Sequence, residues 1–174
     1  MNKLPDWIKI KQCNKVYTQD VSGMGNGFLI DILNRYDSIY KGRENELFQQ
    51  IYYSSVYKNM FKGFHIHPYK YDTVFCIFGS ALLVFYPKLI TKEELQIRIN
   101  LDELIIIPIG DKYKMLTISF PSKYPHGYFG VSDIAYILNY RNPAWTSEDK
   151  FQYDYKCKGI ESYLKDWILK NANS

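Results

Sequence analysis

Apolar residues recur in short runs along most of the chain, and turn-forming or charged residues separate these runs. Runs of this kind, rich in Val, Ile, Tyr and Phe, are typical of β-strands. The pattern predicts eight strands, at 27–33, 47–57, 61–67, 72–78, 81–86, 101–107, 115–120 and 134–140. Short, closely spaced strands favour a sandwich or a barrel, so the sequence predicts an all-β fold.

Glycine-containing turns and one polar segment separate the predicted strands. Phe78-Gly79-Ser80 predicts a tight hairpin between two apolar runs, and Gly110-Asp111 predicts another. The polar and charged segment 34–46 is the predicted long loop.

Only the C-terminal part of the pattern is helical. Apolar residues there fall on one face at helical spacing, namely Ile160, Leu164, Trp167 and Ile168. A short amphipathic helix at about 160–171 is therefore predicted to pack against the barrel. The length of 174 residues predicts a single domain, 1–174.

Composition and charge narrow the classes of ligand. Aromatic residues make up 17% of the chain, with 17 Tyr and 10 Phe, which favours cavity walls able to stack on a planar or sugar ring. The net charge of +4 is compatible with an anionic ligand such as a nucleotide sugar. Basic residues are too dispersed for a nucleic-acid footprint, so no nucleic-acid partner is expected.

The cysteines and the N-terminal segment predict a cytoplasmic protein. Cys13, Cys76 and Cys157 are odd in number and widely spaced, which favours neither disulfides nor a zinc ribbon. Cys76 lies in an apolar run and is predicted to be in the core. No apolar stretch resembles a signal peptide or approaches the roughly 20 residues that span a bilayer, so no membrane partner is expected.

The three histidines are spaced as if they share one pocket. His65 and His67 form an H-x-H pair, and residues two apart in a strand point to the same face. A lone histidine in a strand is usually structural. Three of them, counting the distant His126, together with the carboxylate of Asp72, predict a shared internal pocket.

The residues around these histidines resemble a known family. Gly63 to Gly79 resembles the first cupin motif, with Asp72 where that motif usually carries glutamate. Further segments resemble the dTDP-4-dehydrorhamnose 3,5-epimerases and their nucleotide-sugar relatives among the cupins. These segments are Gly27-Phe28-Leu29-Ile30-Asp31, Phe48-x-Gln50-x-x-x-Ser54, Lys62-Gly63-Phe64-His65, Phe120-Pro121-Ser122-Lys123-Tyr124-Pro125-His126-Gly127 and Ser147-Glu148-Asp149. The resemblance covers about 27–149 and implies a cupin jelly-roll β-barrel that forms a homodimer.

The resemblance also implies a reaction on a nucleotide-linked 4-keto-deoxysugar. A base removes a proton beside the keto group and the sugar is reprotonated on its other face, giving 3- and/or 5-epimerisation for surface polysaccharide synthesis. His65 matches the base, and imidazole, with a pKa of about 6.5, suits that role. His67 or His126 would tune it, and Asp72 would orient one imidazole. No cofactor is expected.

Substrate contacts follow from the same resemblance. Lys62 matches an arginine that meets the diphosphate, a change that keeps the charge and loses the bidentate fork. Gln50 and Asp31 match nucleotide contacts, and Gly27 matches the glycine of the opening motif. Tyr52 is a further expected substrate contact.

Two positions depart from the family. Asp72 falls where the family has a lysine that polarises the keto oxygen, and Asn139 falls where it has an acid tyrosine. An asparagine cannot deliver a proton. Tyr52, Tyr136 and Tyr140 are the candidate replacements, and the sequence does not choose among them.

Three alternatives remain open at this point. The H-x-H spacing also resembles that of the sugar 3,4-ketoisomerases, where two histidines move protons between neighbouring carbons. His65, His67, Asp72 and His126 also form a three-nitrogen, one-oxygen set of a kind that suits iron, nickel, manganese or zinc, as in a metal-dependent cupin enzyme. The third alternative is a ligand-binding cupin without catalysis.

Overall fold

The computed structural model describes residues 4–19, 22–34, 36–41, 50–90, 94, 99–144 and 157–171. Within them the chain forms eleven strands and a C-terminal helix, α1. The strands are β1 Lys9–Gln12, β2 Lys15–Gln19, β3 Gly25–Ile30, β4 Gln50–Tyr57, β5 Phe61–His65, β6 Tyr71–Phe78, β7 Ser80–Phe85, β8 Ile105–Gly110, β9 Leu116–Pro121, β10 His126–Gly130 and β11 Ile134–Asn142. Helix α1 spans Ile160–Asn171 and confirms the predicted helix.

The strands form two main sheets and one separate ribbon. The five-stranded sheet has the order β1-β9-β6-β11-β4, the four-stranded sheet the order β5-β10-β7-β8, and β2 pairs with β3 alone. Every strand pair is antiparallel. Two facing antiparallel sheets with non-sequential neighbours make the jelly-roll barrel that the sequence predicted.

The apolar core fills the space between the two main sheets. Its members come from both sheets, and include Val74, Ile118 and Ile137 from one and Leu83 and Phe85 from the other. Cys76 belongs to this core, as predicted, and is 2% exposed.

A second apolar cluster attaches α1 to the four-stranded sheet. Ile160 and Leu164 of the helix are buried against Phe61 and Phe64 of β5. The backbone N–H of Phe61 also donates to Glu161 Oε1 at 2.9 Å. The helix therefore packs on the strand that carries His65.

The two predicted hairpins are turns that connect different sheets, so the hairpin prediction was wrong at both. β6 pairs with β9 and β11, whereas β7 pairs with β8 and β10. Gly79, with φ +70°, and Gly110, with φ +105°, each carry the chain from one sheet to the other. The two turns pack together, since Asp111 N donates to Gly79 O at 2.9 Å. Sheet-switching corners of this kind close the barrel at that end.

Several strand boundaries also differ from the prediction. Leu101–Glu103 is a 3-10 helix whose first turn is capped by Asn100, so β8 begins only at Ile105. The strands β1, β2 and β10 were not predicted, because the first two are short and begin and end with polar residues and β10 contains two glycines. The predicted segment 34–46 contains a 3-10 helix at Ser38–Tyr40, and its part from residue 42 onward lies outside the described residues. In the described part of the chain, no helix has the length and apolarity needed to cross a bilayer.

Candidate functional site

A polar cavity of about 90 Å³ lies between the two sheets, at the end of the barrel opposite the Gly79 and Gly110 turns. Strands from both sheets contribute to it. Its lining residues are Tyr52, Ser54, Lys62, His65, His67, Asp72, His126, Tyr128, Asn139 and Arg141.

Strand alternation places the polar groups in the cavity. Along β11 the buried positions are Ala135, Ile137, Asn139 and Arg141, so one inward row changes from apolar to polar along its length. Asp72 occupies the same end of β6, in register with Arg141. The cavity is thus a polar continuation of the apolar core.

The three histidines surround the cavity, as the sequence predicted. The ring centroids of His65 and His67 are 6.4 Å apart with nearly parallel planes, and each lies 6.0 Å from that of His126. His67 and His126 are buried, whereas His65 is half-buried. His65 is therefore the imidazole most open to a bound molecule.

Two glycines allow the strands that carry the histidines to approach closely. A Cβ on Gly63 would lie 2.7 Å from Gly127 Cα and 2.8 Å from the carbonyl oxygen of His126. A Cβ on Gly127 would lie 2.7 Å from the Lys62 carbonyl oxygen. Real Cβ atoms essentially never lie within 3.0 Å of another non-bonded heavy atom, so a side chain at either position would push β5 and β10 apart.

Arg141 and Asp72 form a buried ion pair at the centre of the site. Arg141 Nε donates to Asp72 Oδ1 at 2.7 Å, and Arg141 Nη2 donates to Asp72 Oδ2 at 3.3 Å. Ser122 Oγ also donates to Asp72 Oδ2 at 2.8 Å. Arg141 was not anticipated from the sequence, because its partner lies 69 residues away and only the strand register brings the two together.

The ionised form of Asp72 is stabilised by its neighbours. Burial alone would raise the pKa of Asp72, but the contact with His126 and the positive charge of Arg141 outweigh it. The pKa of this carboxyl group is consequently held below its usual range.

His67 is held as a neutral imidazole. Arg141 Nη2 lies 3.2 Å from His67 Nε2, and because a guanidinium only donates, Nε2 must accept. The proton of the neutral ring then sits on Nδ1. Burial and the charge of Arg141 lower the pKa of His67 to about 3, in agreement with this geometry. The Nε2 lone pair of His67 is thus already engaged.

His126 is oriented by its backbone and by Asp72. Its Nδ1 lies 2.9 Å from the carbonyl oxygen of Tyr124, which only accepts, so Nδ1 carries a proton. Its Nε2 lies 3.5 Å from Asp72 Oδ2. The carboxylate of Asp72 therefore contacts one imidazole directly, as predicted from the sequence, and reaches His67 through Arg141.

Two phenols line the cavity. Tyr128 donates to Asn139 Oδ1 at 2.9 Å, and Asn139 Nδ2 donates to the carbonyl oxygen of Ile137 at 2.8 Å. Burial raises the pKa of Tyr128 well above its usual value. Burial, followed by the charge of Asp72, raises the pKa of Tyr52 to about 12. Both phenols are protonated at neutral pH, and the ring of Tyr52 lies 5.3 Å from the Arg141 guanidinium.

The structure separates the three tyrosines that the sequence offered as possible acids. Tyr136 packs against the exposed Tyr53, and Tyr140 lines a separate apolar groove on the outer face of the five-stranded sheet. Neither reaches the polar cavity. Of the three tyrosines only Tyr52 lines the cavity, and Tyr128, which the sequence did not suggest, lines it too. Tyr128 was missed because β10 was not predicted as a strand.

The predicted substrate contacts divide into two groups. Lys62 and Tyr52 line the cavity, and Lys62 Nζ donates to the carbonyl oxygen of Ser55 at 3.4 Å. Asp31 lines the outer groove and pairs with Lys11 at 3.3 Å. Gln50 and Gly27 lie outside the cavity, Gln50 at the start of β4 and Gly27 in the ribbon. The predicted Ser147-Glu148-Asp149 segment lies outside the described residues.

The predicted metal ligands do not form a good metal site. His67, Asp72 and His126 each offer an atom within 4.8 Å of the others, and His65 lies outside that cluster. However, Arg141 donates to His67 Nε2 and to both oxygens of Asp72, so a cation would have to displace the guanidinium from His67 and compete with it for the carboxylate. A metal ion there would also lie beside a buried guanidinium. The donor set is therefore unsuited to a divalent cation.

Comparisons with known proteins identify the fold. No family model and no curated protein matches the sequence. The dTDP sugar isomerase from Desulfovibrio desulfuricans G20 superimposes with a TM-score of 0.65 at 13% identity, over 90% of this chain and 88% of that one.

Two further solved structures agree with this result. The dTDP-6-deoxy-D-glucose-3,5-epimerase from Legionella pneumophila Philadelphia 1, in complex with dTDP-4-keto-L-rhamnose, gives 0.64 at 16% identity, over 92% of this chain and 79% of that one. The sugar 3,4-ketoisomerase from Thermoanaerobacterium thermosaccharolyticum, in complex with TDP, gives 0.58 at 15% identity, over 94% and 99%. The chain therefore has the cupin fold found in dTDP-sugar epimerases, isomerases and ketoisomerases.

Proposed function

We propose that the protein is a nucleotide-sugar epimerase or isomerase that acts on a nucleoside-diphosphate-linked 4-keto-deoxysugar in surface polysaccharide biosynthesis. The observation that carries the proposal is the cavity itself, where a half-buried imidazole, two protonated phenols and two cationic side chains converge inside a cupin barrel. This combination supplies a base, an acid and electrostatic stabilisation without a metal ion.

His65 is the base in this proposal. It lines the cavity, it is the most exposed of the three imidazoles, and no other described histidine is equally accessible. The Nε2 lone pair of His67 is engaged by Arg141, and His126 faces the Asp72 carboxylate. His67 and His126 therefore shape the site around His65.

Tyr52 and Tyr128 are the candidate acids, and Lys62 is the candidate contact for the diphosphate. Lys62 lies on β5, three residues before His65, and lines the same cavity. A diphosphate near Lys62 would place the attached sugar next to the imidazole. Gln50, Asp31 and Gly27, expected to contact the nucleotide, lie away from this cavity and remain predictions.

A 3,4-ketoisomerase is the second candidate, because the chain covers 99% of the ketoisomerase chain but 79% of the epimerase chain. The engaged lone pair of His67 argues against a two-histidine proton relay. The product distinguishes the two activities, since epimerisation inverts a carbon and keeps the ketone at C4 whereas ketoisomerisation moves the ketone to C3.

The separate ribbon supports the homodimer that the resemblance implies. Tyr17, Phe28 and Met24 in or beside the ribbon are 77%, 51% and 69% exposed. A two-stranded ribbon is marginally stable alone in water, so we propose that it packs against a second copy of the chain. Sedimentation velocity at several protein concentrations checks this point, and a monomer throughout would contradict it.

The function is tested by incubating the protein with TDP-4-keto-6-deoxyglucose in heavy water. Mass spectrometry should find deuterium on the sugar, and His65→Asn should lose that uptake while its circular dichroism is unchanged. The amide has a similar shape but cannot act as a base. Uptake that persists in His65→Asn would assign the base elsewhere. Activity that is lost on chelation, together with one metal ion per chain by elemental analysis, would support the metal-dependent alternative.

A further inference from the structure

Arg141 brings a fixed positive charge into the cavity, and part of its guanidinium is left for a ligand. Nε and Nη2 donate to Asp72 and His67. Among the described residues, none accepts a hydrogen bond from Nη1, which has two further N–H groups. Arg141 itself lines the cavity.

The rest of the network holds this guanidinium in one orientation. Asp72 on the neighbouring strand accepts a hydrogen bond from Nε, and His67 accepts one from Nη2. The ring of Tyr52 lies 5.3 Å from the central carbon of the guanidinium. A donor fixed before the reaction needs no rearrangement when charge develops, which is the condition for strong electrostatic catalysis. Lys62, the other lining cation, lies on a flexible stem and donates to the carbonyl oxygen of Ser55.

We propose that Arg141, through Nη1, binds the keto oxygen of the sugar and stabilises the enolate that forms there. This inference rests on the proposed function. His65 removes the proton beside the ketone, the C–H electron pair forms a carbon–carbon double bond, and the carbonyl π electrons move to oxygen. The negative oxygen accepts from Nη1. Return of a proton to carbon reverses the electron flow, so no oxidant or reductant is needed.

Asp72 is a positioning residue in this scheme. Asp72 occupies the position where the family that this chain resembles has a lysine. In this chain it binds the guanidinium of Arg141, which the adjacent strand supplies. The site therefore keeps one positive charge near the reacting carbonyl, with a carboxylate fixing its direction.

The test compares four proteins for TDP binding by calorimetry and for deuterium exchange of TDP-4-keto-6-deoxyglucose. They are the wild type, Arg141→Lys, the double variant Arg141→Gln/Asp72→Asn, and Ile137→Val as a control in the same strand. The double variant removes both charges, so no buried carboxylate is left without a partner. It should bind TDP within about twofold of wild type and lose exchange by about 10²–10³-fold, the usual effect of deleting an oxyanion donor. Ile137→Val should match wild type in both measurements.

Arg141→Lys separates a catalytic role from a structural one, since it keeps the charge and loses the fork. We expect its exchange rate to lie at least about tenfold above that of the double variant and below wild type. Exchange within about threefold of wild type in the folded double variant overturns the proposal. If the double variant does not fold, exchange at the wild-type rate in Arg141→Lys overturns it instead. Failure of the wild type to exchange at all overturns the proposed function, which is a different result.

Discussion

The two halves of the barrel interior are built from the same strands and differ in what those strands present. In one half, Ile137 and Val74 pack in the apolar core. In the other, two positions further along the same inward rows, Asn139 and Asp72 join a network of charges and hydrogen bonds. The strand alternation is unbroken between them. The same strands therefore carry an apolar core at one end and a polar cavity at the other through a change of residue type alone.

The largest effect is expected at the polar end. Arg141→Gln leaves Asp72 buried without its counter-ion and should lower the free energy of unfolding by about 3–5 kcal/mol. Adding Asp72→Asn should restore most of that loss, because the unpaired charge disappears. Urea unfolding of the single and double variants measures both values. If the double variant is as unstable as the single one, the loss comes from side-chain packing and not from an unpaired charge.

At the apolar end, we expect a loss of unfolding free energy that no second substitution restores. Ile137→Ala removes a fully buried side chain and should cost about 2–5 kcal/mol, and Ile137→Val about 0.5–1.5 kcal/mol. The folded fraction should retain deuterium exchange at the wild-type rate, since Ile137 does not line the cavity. Parallel unfolding and exchange measurements check this contrast, and a large loss of exchange in Ile137→Val would show that the two ends are coupled.

Acid should lower the free energy of unfolding through the titratable groups of the polar end. The pKa of His67 falls from about 6.5 when unfolded to about 3 when folded. Between these values the unfolded chain binds a proton that the folded chain does not. The free energy of unfolding should therefore decrease as pH falls below about 6.5, by up to about 1.4 kcal/mol per pH unit. Asp72, whose pKa is lowered on folding, adds a further loss below about pH 4.

The control for this pH dependence is His67→Gln. It should flatten the decrease between about pH 6 and pH 4.5 and keep the loss at lower pH, whereas Ile137→Val should retain the whole profile. Urea unfolding at intervals of about one pH unit measures the slopes. A slope unchanged in His67→Gln would remove His67 as its cause.

Variants of the two phenols separate a structural tyrosine from a catalytic one. Tyr128→Phe leaves Asn139 Oδ1 without its donor and should cost about 1–3 kcal/mol in unfolding free energy. Tyr52→Phe, at a half-buried position, should cost less than about 1 kcal/mol. Whichever phenol is the acid should, when removed, slow product formation more than deuterium exchange. Equal slowing in both variants would exclude a single acid.

The sequence was sufficient for the parts of this site that depend on local spacing. His65 and His67 share a face because they are two residues apart, and the α1 face follows from its 3.6-residue period. The Arg141–Asp72 pair could not be predicted in this way, because strand order and register bring together residues from β11 and β6. Tyr128 was not predicted for a related reason, because the two glycines of β10 kept that segment from being recognised as a strand.

The glycines of β5 and β10 have a consequence for how this protein can vary. Gly63 and Gly127 do not line the cavity, yet the spacing between His65 and His126 depends on the absence of a side chain at both. In a saturation library these two positions should tolerate as few replacements as the histidines themselves. A screen for activity would then mark them as essential residues, although their contribution is only to let two strands approach closely.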